Sequence, residues 1–213
     1  MLAPARHDPS RRQTLNAGAP TAHPSRPETD RLHTRVSRPA DWIEMLELLD
    51  RCFPHATEAM MGHWLCHQRP MMHVARIGGK VAGFVHVQIR PESGTLWINM
   101  LAVTEDHRHR GVARHLLAHC ERLAAQWGLG RLGLQCHEDN LAALRLYQRQ
   151  GHRRVGETIR AHAGGRYIVH DKPLPCTTPA RPCTPPQPDP RWQRLALRLL
   201  YLGWFRRQAR LTR

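Results

Sequence analysis

Leu101-Ala-Val-Thr-Glu-Asp-His-Arg-His-Arg-Gly-Val-Ala-Arg-His-Leu-Leu117 is the stretch on which the reading of this chain turns. An apolar run ends at Val103 and a basic loop follows. From Gly111 onward apolar residues recur at helical spacing, with Val112, Leu116, Leu117, Leu123 and Ala124 on one face. A strand, a loop and a helix are expected in that order. The small residues Gly111 and Ala113 let backbone N–H groups come close to an anion, and a helix N-terminus favours negative charge, so the segment can hold a phosphate with Arg108 and Arg110 adding charge. The same residues equally suit a basic loop before an ordinary amphipathic helix. The loop alone does not decide between the two.

Upstream of it, Leu32 to Ser37 suits a strand, and the apolar spacing of Ala40 to Asp50 suits a helix beginning near Pro39. A second short helix fits Thr57 to His67. Met72 to Ile77 and Lys80 to Ile89 flank Gly78-Gly79, a two-residue loop that tolerates positive φ, so they are expected to pair antiparallel. After Pro91 to Gly94 a strand runs from Thr95 to Val103, and the helix behind the basic loop covers Val112 to Trp127. Downstream, Leu132 to Cys136 is a strand, Asn140 to Arg149 a helix, and His152–Thr158 and Arg166–Asp171 two closing strands. The order is β-α-α-β-β-β-α-β-α-β-β, a mixed α/β (α+β) class.

Proline marks the limits of this unit, because it fixes its own φ and lacks an N–H. Only Pro54, Pro70 and Pro91 lie between residues 40 and 171, whereas eight prolines fall in 173–190. The expected organisation is a Pro- and Arg-containing extension lacking a fold of its own (1–31), one folded domain (32–174), an extended Pro-rich linker (175–190) and a basic, apolar tail that can be helical (191–213).

At 213 residues, with 41% hydrophobic and 23% charged residues, the chain is long enough for one core and too ordinary in composition for wholesale disorder. The longest mainly apolar run, Leu195 to Phe205, contains Arg198 and is short of the ~20 residues that span a bilayer. Six cysteines form no Cys-x-x-Cys pair and the first thirty residues hold no apolar signal core, so reduced thiols and a cytoplasmic address are expected. The net charge is +15, and 7 arginines with no acid sit in residues 191–213. Such a tail suits an anionic membrane surface, a protein partner or the chain's own core. A nucleic-acid-binding protein is a weaker reading, because no zinc finger, aromatic platform or helix-turn-helix pattern accompanies the charge.

The second informative segment is Asn140-Leu-Ala-Ala-Leu-Arg-Leu-Tyr147-Gln-Arg-Gln-Gly151-His. With it the chain resembles the Gcn5-related N-acetyltransferase (GNAT) family. Arg108-x-x-Gly111-x-Ala113 is similar to that family's acyl-CoA loop, and Asn140-x-x-Ala143-x-x-Leu146-Tyr147-x-x-x-Gly151 to its second motif. The two stand in the family's order, cover about 50 residues and have the expected helix and strand between them. The coarser agreement in strand order covers about 32–174.

The resemblance implies a mostly antiparallel sheet of about seven strands flanked by about four helices, with the fourth and fifth strands splayed to admit acyl-CoA. It implies acetyl-CoA as acyl donor, no metal, and direct attack by a primary amine in a ternary complex. The pantetheine arm would pair with the backbone of Leu101, Ala102 and Val103, and the pyrophosphate would rest on the amides of Arg108, His109, Arg110, Gly111, Val112, Ala113 and Arg114. Tyr147 corresponds to the tyrosine that protonates the departing thiolate, and Asn140 to a residue that anchors its helix near the cofactor. Tyr147 equally suits a ring in the core and Asn140 a plain N-cap. Members that acetylate the N-terminal alanine of a ribosomal protein carry a glutamate where this chain has Gln135, and Gln cannot accept a proton. His137, Glu105 and a water relay near Asn99 remain as bases, and a non-catalytic acyl-CoA sensor as the alternative function. Acceptor specificity in the family resides in segments corresponding to Cys52–Pro70 and Ile159–Gly165. His115 and His119, one turn apart with Cys120 beside them, have the spacing of metal ligands, but no third ligand recurs at matching spacing.

Overall fold

The computed structural model describes residues 31–53, 71–159 and 165–175. Among these residues seven strands form one sheet: β1 (His33–Val36), β2 (Met72–Ile77), β3 (Lys80–Arg90), β4 (Thr95–Val103), β5 (Arg131–His137), β6 (Arg153–Ile159) and β7 (Arg166–Pro173). Their order across the sheet is β1-β2-β3-β4-β5-β7-β6, and every neighbouring pair is antiparallel except β4 with β5. Three helices stand among the described residues: α1 (Trp42–Cys52), α2 (Val112–Gln126) and α3 (Leu141–Arg149). The class and strand order agree with the sequence. The helix expected over Thr57 to His67, the terminal extension, and all but the first residue of the expected linker and tail lie outside the described residues.

Gly78 and Gly79 take φ of 57° and 77° between β2 and β3, the left-handed pair that a tight hairpin turn demands. The loop before α2 is more regular than expected, since Glu105–His107 make a 3-10 turn. Thr104 fixes that turn, its N–H donating to the Ala82 carbonyl at 3.0 Å and its hydroxyl lying 2.8 Å from His107 Nδ1.

Two apolar layers sandwich the sheet. On one face Trp42, Met45, Leu48 and Leu49 of α1 pack against Val74, Phe84, Met100 and Ala102. On the other, Val112, Leu116, Leu117 and Cys120 of α2 pack with Val85, Leu96, Ile98, Leu132 and Leu134. Alternation along β3 sends Phe84 to one layer and Val85 to the other, as a strand buried on both sides must. α1 is pinned by Asp41, whose fully buried carboxylate takes Arg35 of β1 at 2.6 Å and Arg76 of β2. Burial alone would raise the Asp41 carboxyl; the Arg35 and Arg38 hydrogen bonds and the charges of Arg35 and Arg76 outweigh it and hold the group below its ordinary range.

β4 changes phase halfway. Val87 pairs with Ile98 but His86 pairs with Met100, which leaves Asn99 as the extra residue of a bulge. Before it, Leu96 and Ile98 face the α2 layer; after it, Met100 and Ala102 face the α1 layer while Leu101 and Val103 pack against the α2 side. One inserted residue has exchanged the two faces of the strand, which is the expected consequence of a period of two.

Candidate active site

The bulge stands where the sheet opens. β4 and β5 pair only from Thr95 with Arg131 to Ile98 with Leu134. Beyond that point Gln135, Cys136 and His137 remain paired to β7, and Met100 to Val103 remain paired to β3. The two strands therefore diverge, and the β5-facing backbone of Asn99 to Val103 is left without a ladder partner there. Unpaired strand N–H and C=O groups are a template for an extended amide-bearing chain.

The N-terminus of α2 follows directly on the open end of β4. Gly111 is its N-cap, with φ of 80°, and His109 is left-handed as well at 60°. Gly111 is there for conformation: a Cβ built on it would find only Arg114 Nη2, at 3.7 Å, so the constraint is backbone shape and not space. The helix's first backbone bond runs from His115 N–H to the Gly111 carbonyl at 2.9 Å, so the amides of its opening turn have no intrahelical acceptor and are free to bind an anion. Gly83 on β3 is there for close approach. A Cβ at this position would lie 2.6 Å from the Ala102 carbonyl oxygen and 3.3 Å from Val112, so its absence lets the start of α2 settle onto β3 and β4.

The helix α3 carries Tyr147. Its N-cap is Asn140, whose Oδ1 accepts the Ala143 N–H at 3.2 Å. The structure thus gives Asn140 the capping role that the sequence left as one of two. Tyr147 is 7% exposed and packs in the α2 layer. Its ring meets His152 at 5.8 Å and His170 at 5.9 Å between centroids. Burial, with lesser contributions from Cys136 and Cys120, pushes the phenol above its ordinary value, so the hydroxyl keeps its proton at neutral pH. The structure shows the core ring that the sequence left as one of two readings.

The bases suggested by sequence fare unequally. His137 Nδ1 accepts the Asp139 N–H at 3.2 Å and lies 3.6 Å from its carboxylate, so a neutral ring carries its proton on Nε2 and offers no free lone pair. Glu105 is a solvated carboxylate, 72% exposed and 3.6 Å from Arg108. Asn99 stands at the divergence itself. The histidines of α2 gain a neighbour that their spacing could not reveal: His119 Nε2 lies 3.0 Å from His73 Nδ1 on β2. Among the described residues no group of three potential ligands is placed to hold a metal. Sequence reading passed over Gly83, the Asn99 bulge as such, and both imidazoles against Tyr147; of these only Gly83, a glycine inside a strand pattern, left a visible sign.

Residues 42–152 match the family model for the acetyltransferase (GNAT) family. Among curated proteins, the chain is 38% identical over 63 residues to GCN5-related N-acetyltransferase 4, chloroplastic, of Arabidopsis thaliana, a match covering 30% of this chain and 22% of that one. It therefore spans about a fifth of that relative's length. An acetyltransferase of Pectobacterium atrosepticum is 24% identical over 145 residues, 66% of this chain and 99% of the other. Among solved structures, Ard1 from Thermoplasma volcanium superposes with a TM-score of 0.59 at 18% identity, covering 67% of this chain and 97% of that one. The ribosomal-protein-S18-alanine N-acetyltransferase from Escherichia coli gives 0.57 at 18% identity, covering 72% and 99%. These two likenesses concern the fold.

The family match falls on a mixed sheet opened at the one parallel pair among the described residues, with a helix N-terminus following on the open strand. The chain belongs to the acetyltransferase (GNAT) family.

Proposed function

We propose that this protein transfers an acetyl group from acetyl-CoA to a primary amine, by direct attack while both are bound. The observation that carries the reading is the divergence of β4 from β5 beyond Ile98 and Leu134, with the free amides of α2 at its mouth and a protonated Tyr147 on α3. Asn99 to Val103 offer backbone to the pantetheine amides. The amides of Arg108 to Arg114 receive the pyrophosphate, helped by the positive end of α2 and by the arginine charges. A β4 amide near Leu101 polarises the thioester carbonyl, and the Tyr147 hydroxyl gives its proton to the departing thiolate. Asn140 starts the helix that sets Tyr147 in place. With His137 held by Asp139, the amine proton leaves through water near Asn99, or is lost before binding.

The decisive experiment supplies full-length protein with acetyl-CoA and peptides bearing free N-termini, polyamines or aminoglycosides, and follows thiol release. Release with at least one amine is expected. Tight acetyl-CoA binding without release to any of them would make the protein an acyl-CoA sensor. The Arg-rich tail is proposed to contact an anionic membrane surface or a protein partner, and a cytoplasmic address suits the absence, among the described residues, of a helix long and apolar enough to cross a membrane. Co-sedimentation with anionic vesicles, with and without residues 191–213, tests the membrane contact.

A further inference from the structure

The C-terminal end of α3 folds back onto Tyr147. Gly151 has φ of 83°, and its N–H donates to the Gln148 carbonyl at 3.0 Å. The next N–H, that of His152, donates to the Tyr147 carbonyl, also at 3.0 Å. This pair of bonds closes a helix with a left-handed residue and returns the residue after it to the last turn, where its side chain meets that of the residue it bonds. Here rings make the contact: the His152 imidazole meets the Tyr147 phenol at 64°, with 5.8 Å between centroids.

A second ring arrives from the sheet. His170 of β7, opposite Leu134 of β5, brings its imidazole to 5.9 Å from the phenol at 50°. Both separations lie where aromatic rings attract one another. His152 is 3% exposed and His170 6%, so neither ring has free space to turn into. Cys136, on the part of β5 beyond its pairing with β4, stands close enough to act on the phenol. The ring is thus enclosed from the end of its own helix and from the sheet. That enclosure matters for a proton donor, because a helical tyrosine has two χ1 wells and exchanging them swings the hydroxyl out of hydrogen-bond reach of a fixed acceptor.

We propose that His152 and His170 are positioning residues for Tyr147: closing on the phenol from two elements, they hold its hydroxyl where the departing thiolate forms. What they supply is ring shape, and no proton passes through either imidazole. The proposal rests on the reading of Tyr147 as proton donor in acetyl transfer, and the test separates the two.

Full-length protein is prepared with isotope-labelled tyrosine rings; the chain has three tyrosines, and Tyr147→Phe identifies the resonances of Tyr147. In His152→Ala and in His170→Ala the Tyr147 ring should flip faster than in the parent, while an unmoved Tyr167 resonance shows the sheet intact. His152→Phe, which keeps a ring at the contact, should return the flipping to the parent's rate. Thiol release from acetyl-CoA, with peptides bearing free N-termini, polyamines and aminoglycosides as acceptors, reads the consequence. His152→Ala should lower kcat about tenfold or more with the KM for acetyl-CoA within about twofold, and His152→Phe should restore it. In a Tyr147→Phe background His152→Ala should have no further effect, because no hydroxyl remains to be misplaced, whereas a general loss of structure would lower both backgrounds alike. Unchanged ring motion in His152→Ala, no rescue by His152→Phe, or an equal loss in the Tyr147→Phe background would each overturn the proposal and leave Tyr147 as donor. Turnover indifferent to Tyr147→Phe, or a parent silent toward every amine, would overturn the donor reading and the proposal with it.

Discussion

Tyr147 and Gly111 carry the proposed function at the scale of single residues, for opposite reasons. Tyr147 matters for an atom it contributes. Tyr147→Phe removes the proposed proton donor and keeps the buried ring, so the maximal rate should fall about ten- to a thousandfold with acetyl-CoA affinity within a few-fold, a loss within or below the usual worth of a positioned acid. Steady-state kinetics beside a binding titration separate the two, and unchanged turnover would take Tyr147 out of the mechanism. Gly111 matters for an atom it lacks. With φ at 80°, Gly111→Val forces a β-branched residue into a left-handed conformation that costs about 1–2 kcal/mol even for an ordinary side chain, so the helix start should rearrange. Arg110→Ala removes one solvated charge and should matter less. Calorimetry with acetyl-CoA should therefore rank Gly111→Val as the greater loss, and the reverse order would mean that side-chain charge, not the amide cradle, holds the phosphates.

Among the elements, β4 has the greatest consequence. Its first half belongs to a continuous sheet and its second half to a cleft, and the change falls at Asn99. Gly83 lies opposite the open half, where β3, β4 and α2 come together. Gly83→Ala would place a methyl group 2.6 Å from the Ala102 carbonyl, against backbone that cannot rotate away. The expected loss is about 1–3 kcal/mol of stability, as for other overpacked sites, with a further loss of acetyl-CoA affinity because α2 must lift. Urea unfolding measures the first and calorimetry the second; a stability within 0.5 kcal/mol of the parent, on the scale of a neutral surface change, would show that this contact is looser than described.

For the whole molecule, the buried histidines dictate a pH response. Burial first, then neighbouring charge, lowers His73 to about 3 and His119 and His152 to about 4. Unfolded histidine titrates near 6.5, so between that value and the folded ones the unfolded chain binds more protons. These groups therefore contribute fully to stability above about pH 6.5, and the contribution is lost as pH falls through the unfolded value toward 4 and 3. His73 alone gives a slope approaching about 1.4 kcal/mol per pH unit in that window, while His119, partly in contact with solvent, gives less. Unfolding free energy measured in urea at pH 7.5, 6 and 5 should fall, and an even profile would show that these rings are not buried neutral.

How much of this could be read beforehand follows from how local each cause is. Strands, hairpin glycines and the apolar face of α2 are set by periodicity and by φ preferences within a few residues, and all were legible. The two motifs were legible for the same reason, since Gly111 and the cap at Asn140 act on their own helices. The sequence alone therefore determined the element order, the family resemblance and the residues of the proposed acyl-CoA loop. What only the tertiary structure decided depends on strands distant in sequence. The pairing limit at Ile98 and Leu134 locates the cleft, the Asn99 bulge reverses the faces of β4, and the return of β7 beside β5 brings His170 to Tyr147. His73 meeting His119 belongs to the same kind, because β2 and α2 are far apart in the chain. No local pattern encodes these meetings; they arise when the two apolar faces of the sheet are covered together and each side chain must find room or a partner within the resulting core.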